Sequence, residues 1–282
     1  MTRLLNANFA RLFKGKLFWI CVGAAVSLGL IEVFPHVKNS SNSPEYVFRP
    51  EVWLFNMSGF VLLIITAILV GFFVGAEHGG VLRNKIIVGK NRASIYLADL
   101  FTCCIGVLII HVLFVFTVFA AGIICGGQVF LKAEEILLFE LLRAASLLSM
   151  CAFFTTLSML IPKKLAGAVA ALVAIFAFFF ISNSVSGNLF EVNQKIEEGI
   201  ASSSDIVERE VLTITQDVLP LGQHDQIRSS LHKLVSKKEC ELAGVPRDIE
   251  VSYPIEIAPS ALLVFVLTTA VGVLVFRRKD IK

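Results

Sequence analysis

The chain has 282 residues, of which 56% are hydrophobic and only 17% are charged, and its mean hydropathy is +0.79. Soluble domains have about 45–50% apolar and about 25% charged residues. Because the apolar residues fall into blocks long enough to cross a bilayer, a soluble globular enzyme is excluded. The net charge is only +3, but the charged residues are unevenly distributed along the chain.

The N-terminal segment, residues 1–16, is predicted to be an in-plane amphipathic helix at the cytoplasmic interface. The apolar residues that share one helical face are Leu5, Phe9, Leu12 and Phe13. The basic residues on the opposite arc are Arg3, Arg11 and Lys14. The alternative interpretation is a solvated basic tail whose periodicity is accidental.

Six apolar segments follow, and each is predicted to be a transmembrane helix, because lipid forces every backbone polar group to be satisfied within its own segment. The predicted spans are residues 17–34, 53–76, 97–124, 136–161, 165–182 and 258–276. The sequence therefore predicts an all-α membrane protein with six transmembrane helices, preceded by the in-plane helix. Residues 17–182 hold spans one to five.

Basic residues in the tails and short loops predict the orientation. The N-terminal tail, the second and fourth loops and the C-terminal tail hold 14 Lys and Arg, and the first and third loops hold three. Both termini, including the tail at 277–282, are therefore predicted to be cytoplasmic. The long loop at 183–257 is predicted to be extracellular, with short helices at 205–218 and 225–238.

Cysteines and intramembrane charges are the remaining candidates for chemistry. Cys125 and Cys240 are both predicted outside, where they either form a disulfide or remain independent thiols. In the spans, Glu140 and Arg143 lie on one helical face and are either a structural pair or part of a translocation path. His111, near the middle of the third span, is either a hydrogen-bonded packing residue or part of the same path. Two further acids, Asp99 and Glu32, lie near span ends, and we expect both to reach water. No metal site is predicted.

The second cytoplasmic loop is the most informative segment of the sequence. It reads GAEHGGVLRNKIIVGKNRASIYL over residues 75–97, and its coupling part is taken as 77–96. Glycines flank a short segment that carries apolar residues beside basic ones, which predicts a helical knuckle suited to a groove on a soluble partner. The alternative is a plain basic loop that only fixes the topology.

This loop resembles the first cytoplasmic loop of ABC transporter permeases of the type 2 export family, which includes bacterial drug, bacitracin and lantibiotic exporters. The matching residues are Glu77, Gly80, Leu82, Arg83, Gly89 and Arg92. His78, Val81 and Asn91 stand where the family commonly has Tyr, Thr and Ser. The resemblance also covers the six spans, the short turn between the fourth and fifth spans and the long loop before the last.

The resemblance implies that the loop is a coupling helix that contacts an ATP-binding subunit. The residues expected to couple to that subunit are Glu77, Gly80, Leu82, Arg83, Lys85, Gly89 and Arg92. The implied partners are that ABC ATP-binding subunit, a second permease subunit that is either a copy or a related chain, and the lipid bilayer of a bacterial plasma membrane. We expect no nucleic-acid partner.

The chain itself lacks a phosphate-binding loop of the form G-x-x-x-x-G-K-[ST], so it is not expected to be an enzyme. ATP and Mg would be bound by the partner, and no cofactor is expected on this chain. The leading hypothesis is an exporter subunit that moves an apolar or amphipathic substrate, such as a peptide, an antibiotic or a lipid-like molecule. The alternatives are an ion-coupled secondary transporter and a non-transporting sensor or immunity component.

Overall fold

A computed structural model of the chain describes residues 1–42, 49–54, 58–78, 80–161, 163–242, 244, 249, 251 and 253–278. Over these residues the protein is helical, without a β-strand. Six of the helices are long and apolar enough to cross a membrane, which confirms the predicted class of an all-α, multi-pass membrane protein.

Eleven α-helices and one 3-10 turn make up this described part. The helices are α1 (Thr2–Lys14), α2 (Lys16–Asn42), α3 (Pro50–Trp53), α4 (Ser58–Gly75), α5 (Val81–Ile87), α6 (Arg92–Ile124), α7 (Ala133–Leu160), α8 (Lys164–Glu197), α9 (Ser203–Val218), α10 (Pro220–Leu242) and α11 (Ile257–Arg278). The 3-10 turn, Ala76–His78, continues α4. The membrane-crossing helices are α2, α4, α6, α7, α8 and α11.

Two opposite faces of the bundle are defined by which helix ends meet. At one face, His78 after α4 bonds the Ser158 carbonyl at the end of α7, and Arg92 at the start of α6 bonds the Arg277 carbonyl at the end of α11. We call this the terminal face, because α1 also lies there. At the opposite face, called the loop face, Lys238 of α10 pairs with Glu135 at the start of α7.

The bundle packs around α4, most of which is buried, whereas little of α11 is buried. Close crossings depend on glycine. A Cβ atom added to Gly71 of α4 would lie 2.7 Å from the Cα of Ala168 on α8. On the other side of the bundle, the buried hydroxyls of Tyr96 and Thr156 bond each other at 2.8 Å, and both lie against Gly272 of α11.

Several helices extend past the predicted ends of the spans. The fifth span was predicted to end at 182, but α8 continues to Glu197, and α6 begins at Arg92 instead of 97. The second span is not one helix from residue 53, since α3 ends at Trp53 and α4 starts at Ser58. Hydropathy marks where apolar residues end, whereas the backbone hydrogen bonds of a helix continue into water.

The long loop holds two helices, with wider bounds than the predicted 205–218 and 225–238. Pro220 opens α10, where its fixed φ and missing N–H suit the first helical turn. At the start of α9, hydrogen bonds from Ser202 lower the pKa of Asp205 to about 2. α10 packs against the bundle and α9 buries no residue.

The six cysteines are free thiols, so Cys125 and Cys240 are not joined in this structure.

Candidate functional site

The candidate site lies at the terminal face, where α1, α5, the end of α4 and the start of α6 meet. Its local shape is set by glycine. After the 3-10 turn, Gly80 adopts φ +104° and precedes α5, and Gly89 adopts φ +80° after α5. Only glycine takes such angles without strain. Asn91 then caps α6 by accepting a hydrogen bond from the Ala93 N–H at 3.1 Å. The result is a short, sharply bounded helix between the second and third spans.

A polar group fixes the base of this short helix, and we call it the terminal cluster: Asn8, Arg11, Glu77, Lys85 and Asp99. Glu77 Oε1 accepts from both Arg11 Nη1 and Lys85 Nζ, each at 2.5 Å. Asp99 Oδ1 accepts from Asn8 Nδ2 at 2.5 Å and lies 3.6 Å from Lys85 Nζ. Asn8 in turn accepts from Lys85 at 3.3 Å. Each carboxylate is therefore held by groups from two other segments.

The terminal cluster brings two basic side chains together with two carboxyl groups. The side chains of Glu77 and Asp99 are fully buried, while those of Arg11 and Lys85 are 30% and 13% exposed. The guanidinium of Arg11 also lies 3.9 Å from the centroid of the Phe73 ring. Removing one partner of such a buried pair leaves an uncompensated charge, which costs about 3–5 kcal/mol.

The seven residues predicted to couple to an ATPase differ in how far they are exposed. Glu77, Leu82 and Lys85 face the protein, and Leu82 is 2% exposed. Arg83 is exposed, and Arg92 donates a hydrogen bond to the Arg277 carbonyl oxygen at 3.3 Å. Gly80 and Gly89 are the bounding glycines. Only Arg83 of the charged members therefore projects freely, and the buried members position it.

The exposed surface of α5 and the turn after it is both apolar and basic. We call it the knuckle tip; its exposed residues are Val81, Arg83, Asn84, Ile87, Val88 and Lys90. Ile87 and Val88 are 72% and 75% exposed. Large apolar side chains beside free cations, outside the membrane-crossing segments, form a surface suited to another protein.

Sequence reasoning missed three members of the terminal cluster. Asp99 was expected to reach water, which is wrong, because α1 covers it and its carboxylate is fully buried. Arg11 was placed on the solvent arc of the N-terminal helix, yet it turns toward Glu77. Asn8 is 2% exposed on the buried face between Leu4 and Leu12. A polar residue within an apolar helical stripe was the available signal.

The three residues named for a possible translocation path, Glu140, Arg143 and His111, lie together in the structure. Glu140 Oε2 lies 2.7 Å from Arg143 Nη2 and 3.1 Å from His111 Nε2. Arg143 Nη1 also donates to the carbonyl oxygen of Leu54 at 2.5 Å, just before α4. The group links α6 and α7 to the segment that leads into α4. His111 Nδ1 and Glu140 Oε1 have no hydrogen-bond partner among the described residues.

Together these contacts connect α1, the end of α4, α5 and the start of α6 through the side chains of the terminal cluster. The Glu140 group does the same between spans, nearer the loop face. Among known proteins, neither a family model nor a curated sequence matches this chain.

Proposed function

We propose that this chain is the membrane-spanning permease subunit of an ATP-driven ABC exporter in a bacterial plasma membrane. It moves an apolar or amphipathic substrate outward and works with a second permease subunit and with ATP-binding subunits. Its terminal face, with both termini, is cytoplasmic. The observation that carries the proposal is the terminal cluster, which anchors a short helix whose tip is free for a partner.

The chemistry of the knuckle tip supports a soluble partner. Arg83 and Lys90 offer positive charge, and Ile87 and Val88 offer apolar area that no described part of the chain covers. Interfaces combine a desolvated apolar centre with charged groups that select and orient the partner. A loop whose only task was topology would need the cations but not the exposed Ile87 and Val88.

The attachments of α5 support transmission of motion to the membrane. Lys85 joins α5 to Glu77 after α4 and to Asp99 in α6, and Arg11 adds α1 to the same group. His78 donates from Nε2 to the Ser158 carbonyl oxygen at 2.9 Å, which adds α7. A displacement of α5 by a motor subunit would therefore be shared by three spans instead of bending one loop.

The N-terminal helix fits a position in the membrane interface. α1 buries Leu4 and Leu12 against the bundle, and the exposed Trp19 donates from its indole N–H to the Phe13 carbonyl oxygen at 2.8 Å. Tryptophan is enriched at the boundary of hydrocarbon and water. This supports a bilayer surface close to Trp19, level with α1 and beneath the knuckle tip.

The test is capture of the partner by tagged full-length protein, expressed at native level in its host and extracted in mild detergent. We expect an ATP-binding subunit in stoichiometric amount with the wild type. Arg83→Glu combined with Ile87→Glu should lower the captured amount at least about tenfold, because a rim charge is reversed and a central apolar contact is lost.

The matched control is Arg3→Glu, which reverses an exposed charge on α1 at the same face and should leave capture unchanged. In a functional assay, the knuckle variant should lose export while the protein remains folded in the membrane. If the wild type captures no ATPase, or if export survives the knuckle variant intact, the exporter proposal fails. Proton-coupled uptake by this chain alone in liposomes would favour the secondary transporter instead.

A further inference from the structure

A large cavity lies at the loop face, between the start of α4, the outer part of α8 and the start of α10. Its volume is about 810 Å³, within the range of about 300–1,000 Å³ typical of small-molecule sites. Ser182 in its wall is roughly 26 Å along α8 from Leu165, at a rise of about 1.5 Å per residue. The cavity therefore lies near the edge of a hydrocarbon layer about 30 Å thick.

The lining of the cavity is divided into an apolar part and a polar part. Phe60, Phe179 and Leu221 belong to the apolar part, and the rings of Phe60 and Phe179 lie 5.0 Å apart. The polar part includes Gln216 and, one turn apart on α10, Asp225 and Arg228. A cavity of this kind suits a molecule that is itself apolar at one end and polar at the other.

Ser182 supplies an independent indication of a ligand. It is 2% exposed and lines the cavity, yet its hydroxyl has no hydrogen-bond partner among the described residues. An unpaired buried hydroxyl costs roughly 1–3 kcal/mol. A polar atom of a bound molecule would remove that cost.

The acid and the base are Asp225, which is partly buried, and Arg228, which is exposed. Burial raises the pKa of the Asp225 carboxyl, and the charge of Arg228 opposes this shift. Asp225 is thus a partly desolvated anion beside a cation that also reaches solvent. Two opposite charges one helical turn apart can each pair with one end of a dipolar group.

We propose that this cavity binds an amphiphile with an apolar chain and a zwitterionic head, the chain lying against Phe60 and Phe179 and the head between Asp225 and Arg228. The Ser182 hydroxyl bonds the polar linkage between chain and head. A head with a phosphate and an ammonium group has an anion for Arg228, a cation for Asp225 and polar oxygen atoms for the Ser182 hydroxyl. The site does not depend on the exporter proposal, because the cavity lies at the opposite face from the knuckle tip.

Binding is tested on the full-length protein in detergent micelles by native mass spectrometry. The probes are palmitoyl lysophosphatidylcholine, palmitoyl lysophosphatidylglycerol and hexadecyl maltoside, which share a chain and differ in the head. We expect one copy of the zwitterionic probe per chain, bound about tenfold tighter than either other probe. Diacyl phosphatidylcholine is tested in parallel, and its binding with the same preference would identify a bilayer lipid as the source of the ligand. Equal binding of all probes would overturn the proposal.

The first variant is Ser182→Phe, which fills the cavity and should abolish preferential binding. Its matched control is Ser184→Phe, the same change at an exposed position of α8 outside the cavity, which should bind like the wild type. Folding of both is checked by a monodisperse elution profile. Retention of the preference in a folded Ser182→Phe variant would contradict the assignment.

A surface variant keeps the test decisive if Ser182→Phe does not fold. Arg228→Gln removes the cation that would pair with the phosphate, so the preference for lysophosphatidylcholine over hexadecyl maltoside should fall about tenfold. The control is Arg209→Gln, at an exposed position of α9 outside the cavity. The proposal is wrong if both arginine variants keep the preference or lose it alike.

Discussion

Glu77 makes the shortest contacts of the terminal cluster to its two cations, because one carboxylate oxygen accepts from both Arg11 and Lys85 at 2.5 Å. Glu77→Gln keeps the size of the side chain but removes its charge, so two cations then face only Asp99. We expect a loss of about 3 kcal/mol in the free energy of unfolding, since a buried ion group is left unbalanced. The drop is measured as a lower thermal midpoint of the detergent-solubilised protein.

The same substitution at Glu208, an exposed residue of α9, is the control and should leave the midpoint unchanged. A Glu77→Gln protein as stable as this control would mean that the cluster does not hold α5 in place. The prediction concerns folding alone and stands whether or not an ATPase binds.

Single residues were predicted unevenly from the sequence. Glu77 and Lys85 were singled out, as contacts with a partner, because they lie in a loop with a recognisable order of residues. Glu140, Arg143 and His111 were singled out because ionisable groups are costly in lipid. Asp99 was misjudged, because its burial depends on a helix 91 residues away covering it, as its bond to Asn8 shows. Local sequence carries no information on such a contact.

At the scale of helices, the close approach of α4 and α8 requires glycine at position 71, which has a hydrogen atom in place of a side chain. A Cβ at Gly71 would lie 2.7 Å from the Ala168 Cα and 3.0 Å from its Cβ, so the helices must separate to admit it. Gly71→Ala should therefore destabilise the protein by about 1–3 kcal/mol, as overpacking does. The loss of stability is measured by thermal unfolding of the detergent-solubilised protein.

Gly23→Ala on α2 is the comparison, because a Cβ there meets nothing within 4 Å. That change should be neutral or slightly stabilising, since alanine is the better helix former by roughly 1 kcal/mol. Equal midpoints for the two variants would show that α4 and α8 are not in close contact.

Helices were predicted better than their ends. The six spans follow from apolar length alone, and each predicted span overlaps a helix of the bundle. The ends differ because hydropathy does not report where backbone hydrogen bonding stops. The end of α3 at Trp53 was not predicted, since its neighbours Val52 and Leu54 are apolar.

For the whole molecule, the proposed orientation places the knuckle tip inside the cell and α9 outside. In a chain with Cys125 and Cys240 replaced by Ser, we expect a membrane-impermeant maleimide to label Ser204→Cys on intact cells. Arg83→Cys should be labelled only after the cells are permeabilised. Both positions are exposed in the structure, so access differs only by the side of the membrane.

The replaced chain without a new cysteine gives the background, because its remaining thiols, Cys21, Cys103, Cys104 and Cys151, are buried. Labelling of Arg83→Cys on intact cells would invert the orientation and remove the basis for a cytoplasmic motor.

The proposed orientation is based on where basic residues stand in the sequence, whereas the spatial arrangement of the spans cannot be derived in that way. Hydropathy marks both α4 and α11 as spans, but it does not state that α4 lies at the centre and α11 at the edge of the described bundle. Which spans lie next to each other depends on close contacts such as that of Gly71 with Ala168, and only the three-dimensional structure shows these contacts.

The length of α8 gives the molecule a lever. Its 34 residues rise about 51 Å, so roughly 20 Å stand clear of a hydrocarbon layer about 30 Å thick. A pivot of about 10° at the Lys164 end would sweep the tip at Glu197 sideways by roughly 9 Å, from a helix of that length. A small rotation of α8 at one membrane surface would thereby be magnified at the other, where α9 follows α8 in the chain.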